Sequence, residues 1–368
     1  MVGVVTTVLP FLIFALLFLL PLLMAGPLTW AERRQAAMIQ DRVGPNRAGI
    51  KIGNKEYRAF GLLHPLADVI KLITKEDSIH LKVDRLLYNM APFIALFPAL
   101  VVFAIIPIGP DFELWGETFQ LQIARLDAGI LYMFAMSSLA VFGVTLAGYA
   151  SRNKFALLGG LRASAQMISY EVTLGLSLLG IIMIYGSLEP SAIVEAQGEL
   201  LWGWLPKWGV FLQPVGLIVF FTAAIAENKR TPFDLAEGES EIIGYFVEYS
   251  GMKFGMFFMA EYIEIVLISA MVTTLFFGGY QVPYLTDAGL LLPGMTTVFS
   301  LPPLLITAVQ VGAFFFKLVF FCWFQLMTRW SLPRFRYDQV MSLGWKILLP
   351  LSLANILVTA IVILATKS

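Results

Sequence analysis

Apolar residues along the chain gather into long unbroken blocks, not into the alternation of half-buried strands. A bilayer core about 30 Å thick needs roughly 20 apolar residues per helix. Eight stretches meet that length: Val4–Trp30, Met90–Ile108, Ala128–Ala150, Gln166–Tyr185, Val210–Ala226, Phe254–Phe277, Pro303–Met327 and Trp345–Ala365. The first is too long for a signal-peptide core and lacks a basic leader, so it reads as a membrane span. Pro10 and Pro21 predict bends in it, which neighbouring helices tolerate. Between the first two blocks, LLHPLADVIKLITKED places Leu62, Leu66, Val69, Ile70 and Ile73 on one helical face, with Asp68, Lys71 and Lys75 on the other. Such a helix lies in the headgroup plane, and Pro65 suits its first turn. The pattern predicts an all-α polytopic membrane protein with about eight transmembrane helices plus an interfacial amphipathic helix. No low-complexity linker divides residues 1–368, which read as a single membrane domain.

Composition agrees: 58% of residues are hydrophobic and 14% charged, whereas a soluble domain carries nearer a quarter. The 25 basic and 25 acidic side chains cancel, so only their placement informs. Loops after the odd-numbered spans hold 21 of the lysines and arginines. Arg125, Lys207 and Lys367 lie on the other side, and Lys317 sits inside a span. This asymmetry puts the odd loops in the cytoplasm and both termini on the periplasmic side. Two cytoplasmic loops stand out: 32–89, with the amphipathic helix, and the acidic 227–253.

The chemistry excluded is broad. A single cysteine, Cys322, rules out an internal disulfide and a cysteine-held cluster. His64 and His80 are too far apart to make a zinc pair. No G-x-G-x-x-G follows a strand and no G-x-x-x-x-G-K-[ST] occurs, so the chain lacks a nucleotide motif and any sign of a nucleic-acid partner. If the protein serves redox chemistry, other chains carry the electrons.

Charges inside the membrane carry more. Measured from Arg162, Glu171 lies about 13 Å into its helix, and Glu261 reaches about the same depth, with Glu264 one turn on. Equal depth predicts that Glu171 and Glu261 lie close across their helices. Lys317 is about 18 Å deep. A lone ion there costs at least about 2.5 kcal/mol, so each faces a partner or a wet cavity. Two readings follow: a proton relay, or polar contacts that lock helices together. The acidic segment adds Glu227, Asp234, Glu237, Glu239, Glu241 and Glu248 against Lys229 and Arg230, interleaved with Phe233, Leu235, Tyr245, Phe246 and Tyr249. It is too apolar to float in water and is expected to fold back and line a cavity, with Pro232 ending the fifth helix. The arginines after the first span have a plain reading as positive-inside anchors.

Several stretches resemble one family: AERRQAAMIQDRVGPNRAG, HPLADVIKLITKED, LLGGLRASAQMISYEV, AENKRTPFDLAEGESEIIGYFVEYSGMKFGMFFMAEY, FGGY and RWSLPRFRYDQVMSLGWKILLPLSL. Together they are similar to the membrane subunit of respiratory complex I called H in bacteria and subunit 1 in mitochondria. The resemblance implies a translocase subunit of the bacterial inner membrane, without redox centres and not catalytic alone. It implies a narrow chamber for a quinone substrate at the junction with the peripheral arm, in which FMN and iron–sulfur clusters are held by partner subunits. The other partners it implies are neighbouring small membrane subunits and lipids. Carried over by position, Asp234, Glu237, Glu239, Glu241 and Glu248 border the quinone cavity. Glu227, Glu171 and Glu261 begin a buried run of proton-coupling carboxylates. Arg33, Arg34, Asp68, Lys71 and Phe233 belong to the chamber. His64 stands where the family usually has glutamine, and IKIGNKEYRAF looks like a small insertion. The alternative is the homologous membrane subunit of an energy-converting hydrogenase; a stand-alone transporter lacks support from repeats.

Overall fold

A computed structural model describes residues 2–52, 55–79, 83–114, 116–236, 238, 244–286, 289–290 and 299–367. In chain order the helices begin with α1 (Val2–Ile39), α2 (Leu63–Thr74), α3 (Arg85–Val102) and α4 (Gly129–Ala150). Next come α5 (Lys154–Tyr185), α6 (Pro190–Gln197), α7 (Gly209–Leu212) and α8 (Pro214–Glu227). The last are α9 (Gly251–Phe276), α10 (Pro303–Ser331), α11 (Tyr337–Ser342) and α12 (Leu349–Lys367). A π-helical stretch, Leu343–Leu348, joins the final two into one span. Among the described residues, seven helices are long and apolar enough to cross a membrane. The expected spans are therefore present but for one.

That one is broken. At Gln213 the backbone leaves the helix (φ −136°, ψ 56°), separating the single turn of α7 from the 14 residues of α8. Irregular backbone at membrane depth survives only where protein covers it. Gln213 is buried, donates to Thr359 Oγ1 at 2.6 Å and accepts from Asn355 Nδ2 at 2.7 Å, both on α12. Gly180 on α5 makes the room, since a Cβ there would lie 2.7 Å from the Gln213 side-chain oxygen.

Helix α9 is the axis of the bundle. Of its most apolar window, 72% is buried, against 17% in α1 and in the last span. It packs on α1, α3, α8 and α10, and on the amphipathic α2. A second layer, α3–α4–α5, closes through small residues, the usual way helices approach without a hydrophobic drive in lipid. A Cβ on Gly143 would come within 2.6 Å of the Ala95 nitrogen, and one on Gly148 equally near the Ala156 carbonyl.

Several helix ends differ from the sequence expectation. Helix α1 runs on to Ile39 despite Pro10, Pro21 and Pro27, so Arg33 and Arg34 ride on a helix and not in a loop. Helix α5 starts at Lys154, so Arg162 lies inside it and the turn before it shrinks to Ser151–Asn153. Asn153 caps that start, accepting from the Phe155 amide at 3.0 Å. Helix α8 stops at Glu227, where Asn228 and the positive φ of Lys229 (53°) turn the chain before Pro232 is reached. The stretch read as an insertion forms a short hairpin, β1 (Ile50–Ile52) against β2 (Lys55–Tyr57). A second hairpin, β3 (Phe112–Leu114) with β4 (Glu117–Phe119), borders a groove against the first half of α1.

Lys317 makes contacts that lock the fold. Its ammonium donates to the carbonyls of Phe277, Gly279 and Gln281 at 2.8, 2.9 and 2.8 Å, and lies 4.6 Å from the centre of the Trp208 ring. It thereby fixes the turn that follows α9, next to a helix C-terminus whose dipole favours a cation. Lys317→Met strands these carbonyls at a cost of roughly 3 kcal/mol. The thermal midpoint of the purified protein should fall by several degrees, followed by a thiol dye on the buried, unique Cys322. An unshifted midpoint would remove Lys317 from the fold's supports.

Candidate functional site

The densest buried charge joins α1, α9, α10 and the segment after α8. Glu32 Oε2 accepts from Arg230 Nη1 at 2.9 Å and from Tyr262 Oη at 2.8 Å, while Glu32 Oε1 meets Arg329 Nη1 at 2.6 Å. Arg230 also approaches Glu261 at 3.8 Å and stacks over the Tyr262 ring at 4.3 Å. Burial works against its charge, yet Glu32, Tyr262 and Glu261 outweigh it and hold the guanidinium above its ordinary value. Close by, Asp234 pairs with Arg334 at 2.8 Å. Burial lifts the Asp234 carboxyl above its usual value although Arg334 opposes the shift. Three acids, Glu32, Asp234 and Glu261, thus face three arginines, which is the condition for keeping ions out of water.

Phe233 packs next to this cluster between Tyr170 (ring centroids 6.0 Å) and Phe335 (5.5 Å). Gln166 Nε2 pins the backbone there by donating to the carbonyls of Ala226 (2.7 Å) and Phe233 (2.8 Å). Tyr170 Oη in turn donates to the Val340 carbonyl at 2.7 Å, tying α5 to the last span.

At the outer edge Arg33 pairs with Asp68 at 2.6 Å, and Lys71 approaches the same carboxylate at 3.4 Å. This bridge fastens α2 to α1. The apolar face of α2 stays open, with Leu62, Leu66, Ile70 and Ile73 exposed. Arg34 lines a groove with Pro45, Asn46, Arg58 and Phe60. His64 makes a local contact, its Nδ1 lying 3.2 Å from the Gly61 carbonyl.

Deeper in the bundle, Glu227 at the end of α8 and Glu264 on α9 line a cavity of about 60 Å³ bounded by α3, α4, α5, α8 and α9. The rest of the lining is apolar apart from Ser137 and Asn228. Glu264, Glu171 and Lys229 are the charges whose fields reach Glu227. Glu171 accepts a hydrogen bond from Ser138 on α4.

The structure therefore sorts the sequence candidates into groups. Glu261, Asp234 and Phe233 meet in or beside the arginine cluster; Glu227 faces the cavity, with Glu171 nearby; Arg33, Asp68 and Lys71 form the edge bridge. Glu171 and Glu261 take separate partners, on α4 and on Arg230. Glu248 stands apart: its carboxylate accepts from Asn153 at 2.8 Å and its carbonyl from Tyr88 at 2.7 Å. Tyr249 beside it stacks on Tyr88 at 4.1 Å, and burial raises its phenol. Glu237, Glu239 and Glu241 lie outside the described residues. Sequence reasoning missed Glu32, Tyr262, Arg329 and Arg334. Glu32 and Arg329 carried one signal, an ion abutting an apolar block.

Known proteins match along most of this length. The family model described as NADH dehydrogenase matches residues 11–360. The chain is 44% identical to the H subunit of the NADH-quinone oxidoreductase of Bdellovibrio bacteriovorus, over 91% of each chain. It is 45% identical to an H subunit of the NADH-quinone oxidoreductase of Geobacter metallireducens, over 94% of this chain and 93% of that one. NADH-quinone oxidoreductase subunit 8 of Rhodothermus marinus is 44% identical over 92% and 93%. A match of this extent on a polytopic helical fold leads to one conclusion: the chain belongs to the NADH dehydrogenase family.

Proposed function

We propose that the chain is a membrane subunit of a proton-translocating NADH-quinone oxidoreductase of a bacterial inner membrane. It shapes a quinone-access chamber against the peripheral arm and passes the state of that chamber into the membrane. The observation that carries this reading is the adjacency of two different electrostatic sites. The balanced cluster of Glu32, Arg230, Glu261 and Arg329 sits at the membrane edge of the loop, and the acid-rich cavity of Glu227 begins within one turn of it. Asn228 spans the two, lining the cavity while its Nδ2 approaches the Glu261 carbonyl at 3.5 Å.

Quinone reduction consumes two electrons and two protons. The electrons reach the quinone from FMN and iron–sulfur clusters in partner subunits; this chain supplies walls and carboxylates. Arg33, Arg34, Asp68, Lys71 and the open face of α2 form the mouth, and Phe233 stiffens the inner wall. Asp234 borders the chamber, and the family resemblance assigns Glu237, Glu239, Glu241 and Glu248 to the same loop border. Protonated acids of the loop give protons to the reduced quinone and are left as carboxylates, and Arg230 redistributes its contacts between Glu32 and Glu261 in response. Glu227, Glu171 and Glu261 then take up or release protons toward the neighbouring membrane subunits. The names of the relatives favour this reading over a hydrogenase-type assembly.

Arg33→Ala and Arg34→Ala should each raise the apparent KM for a short-chain quinone several-fold in assembled enzyme, with artificial-acceptor activity intact. An unchanged KM in both variants counts against a mouth at α1 and α2. Glu32→Gln leaves Arg230 and Arg329 short of a buried partner, a loss of about 3–5 kcal/mol. Native electrophoresis should then show sharply reduced assembled complex; wild-type amounts would make the cluster dispensable. Glu227→Gln keeps the shape and removes the proton site, so turnover and proton pumping should fall together by roughly tenfold or more. Full pumping in that variant would sink the proton route.

A further inference from the structure

Two features of the cavity are not used by the route above. The first is Asn228. Its Nδ2 points to the Glu261 carbonyl at 3.5 Å, so its Oδ1 faces the other way. That oxygen is buried, belongs to a residue 2% exposed that lines the cavity, and has no donor from the protein. An amide oxygen so placed calls for a water or a protonated acid. A cavity of about 60 Å³ admits water.

The second is Glu264, three residues beyond Glu261 on α9 and on the wall shared with Glu227. None of the ion pairs among the described residues includes Glu227 or Glu264. The charges that face the two acids are Lys229 and Arg230 from the loop, Glu261 from α9 and Glu171 from α5. Helices α3 and α4 offer the cavity only Ala99, Val102, Met133, Phe134, Ser137 and Ala140. Of the two cations, Arg230 is engaged by Glu32, and the Lys229 ammonium sits 5.5 Å over the Tyr245 ring. Two carboxylates on one poorly hydrated wall, with so little positive charge free for them, cannot both stay ionised cheaply.

We propose that Glu227 and Glu264 share one proton through water in this cavity, with Asn228 Oδ1 as the acceptor that orders the water or the protonated acid. Glu264 thereby becomes a second proton-holding residue of the route, and Asn228 a positioning residue. The inference rests on the proton route through Glu227 proposed above. No bond forms or breaks except to the proton: it leaves one carboxylic acid, crosses a water and arrives on the facing carboxylate. The pair titrates as a unit, so its apparent values belong to both acids together.

The test uses assembled complex in proteoliposomes, with infrared difference spectra across a pH titration beside the pH profile of proton pumping. Glu264→Gln removes the repelling charge. The pumping profile should move to lower pH by about one unit or more, and the carboxylic-acid band of the shared proton should move with it. Asn228→Leu retains both acids but deletes the acceptor, and should displace that band without abolishing assembly. A wild-type profile and band in Glu264→Gln, beside the expected loss of pumping in Glu227→Gln, overturns this inference alone. Full pumping in Glu227→Gln overturns the route and this inference with it. An unmoved band in Asn228→Leu removes the positioning role, and a moved one supports it whether or not the first variant assembles well.

Discussion

The contact on which the architecture turns is that of Arg230 with Glu32. A guanidinium almost out of reach of water must be matched, and breaking such a pair costs several kcal/mol because the remaining charge is stranded. The partners sit 198 residues apart in the chain, so satisfying this one ion draws α1 onto the segment after α8. Arg329 from α10 and Tyr262 from α9 complete the coordination of Glu32. Four elements are thereby fixed at a single carboxylate. Helix α1 has to run past the apolar block to Ile39 for Glu32 to lie within it, and the same extension delivers Arg33 to Asp68 and seats α2.

Away from that contact the charge balance changes sign. In the cluster, acids and arginines are equal in number and paired. Around the cavity, Glu227 and Glu264 face each other with Glu171 in range, and Lys229 is the main nearby cation of the set. In the first arrangement each proton taken up would break an ion pair. In the second, a proton relieves repulsion. A structure that joins the two within one helical turn of α9, from Glu261 to Glu264, places a stiff charge lattice against a soft one.

How much of this the sequence disclosed follows from the range of the interactions. Helix α4 was legible nearly to the residue, because its apolar block ends where polar residues begin on both sides. The acids Glu171, Glu227 and Glu261 were legible because an ion within an apolar block is conspicuous. Glu32 was not, since at the end of its block it looked like the first residue of a charged loop. The start of α5 was misplaced for the same reason: Lys154 and Arg162 read as loop cations, whereas Asn153 supplies a cap and the helix begins there. Lys317 was visible as a buried charge, but its carbonyl partners lie 36 to 40 residues away, and nothing local distinguishes a helix cap from a relay. The break at Gln213 was hidden because its partners, Asn355 and Thr359, come from the far end of the chain.

Helix α9 carries residues of both charge lattices, Glu261 in the cluster and Glu264 at the cavity. It is the most enclosed of the long helices, and Lys317 holds the turn after its far end by three carbonyls. Its start is tied by Lys253 to Asp77 at 2.6 Å, and midway along it Glu261 at 3.8 Å and the ring of Tyr262 at 4.3 Å share Arg230. Drawing that guanidinium closer to Glu32 leaves Glu261 more exposed as a negative charge, and the field of Glu261 acts directly on Glu264. Under the proton route proposed above, a change of charge in the loop is felt at Glu264 over a single turn of helix.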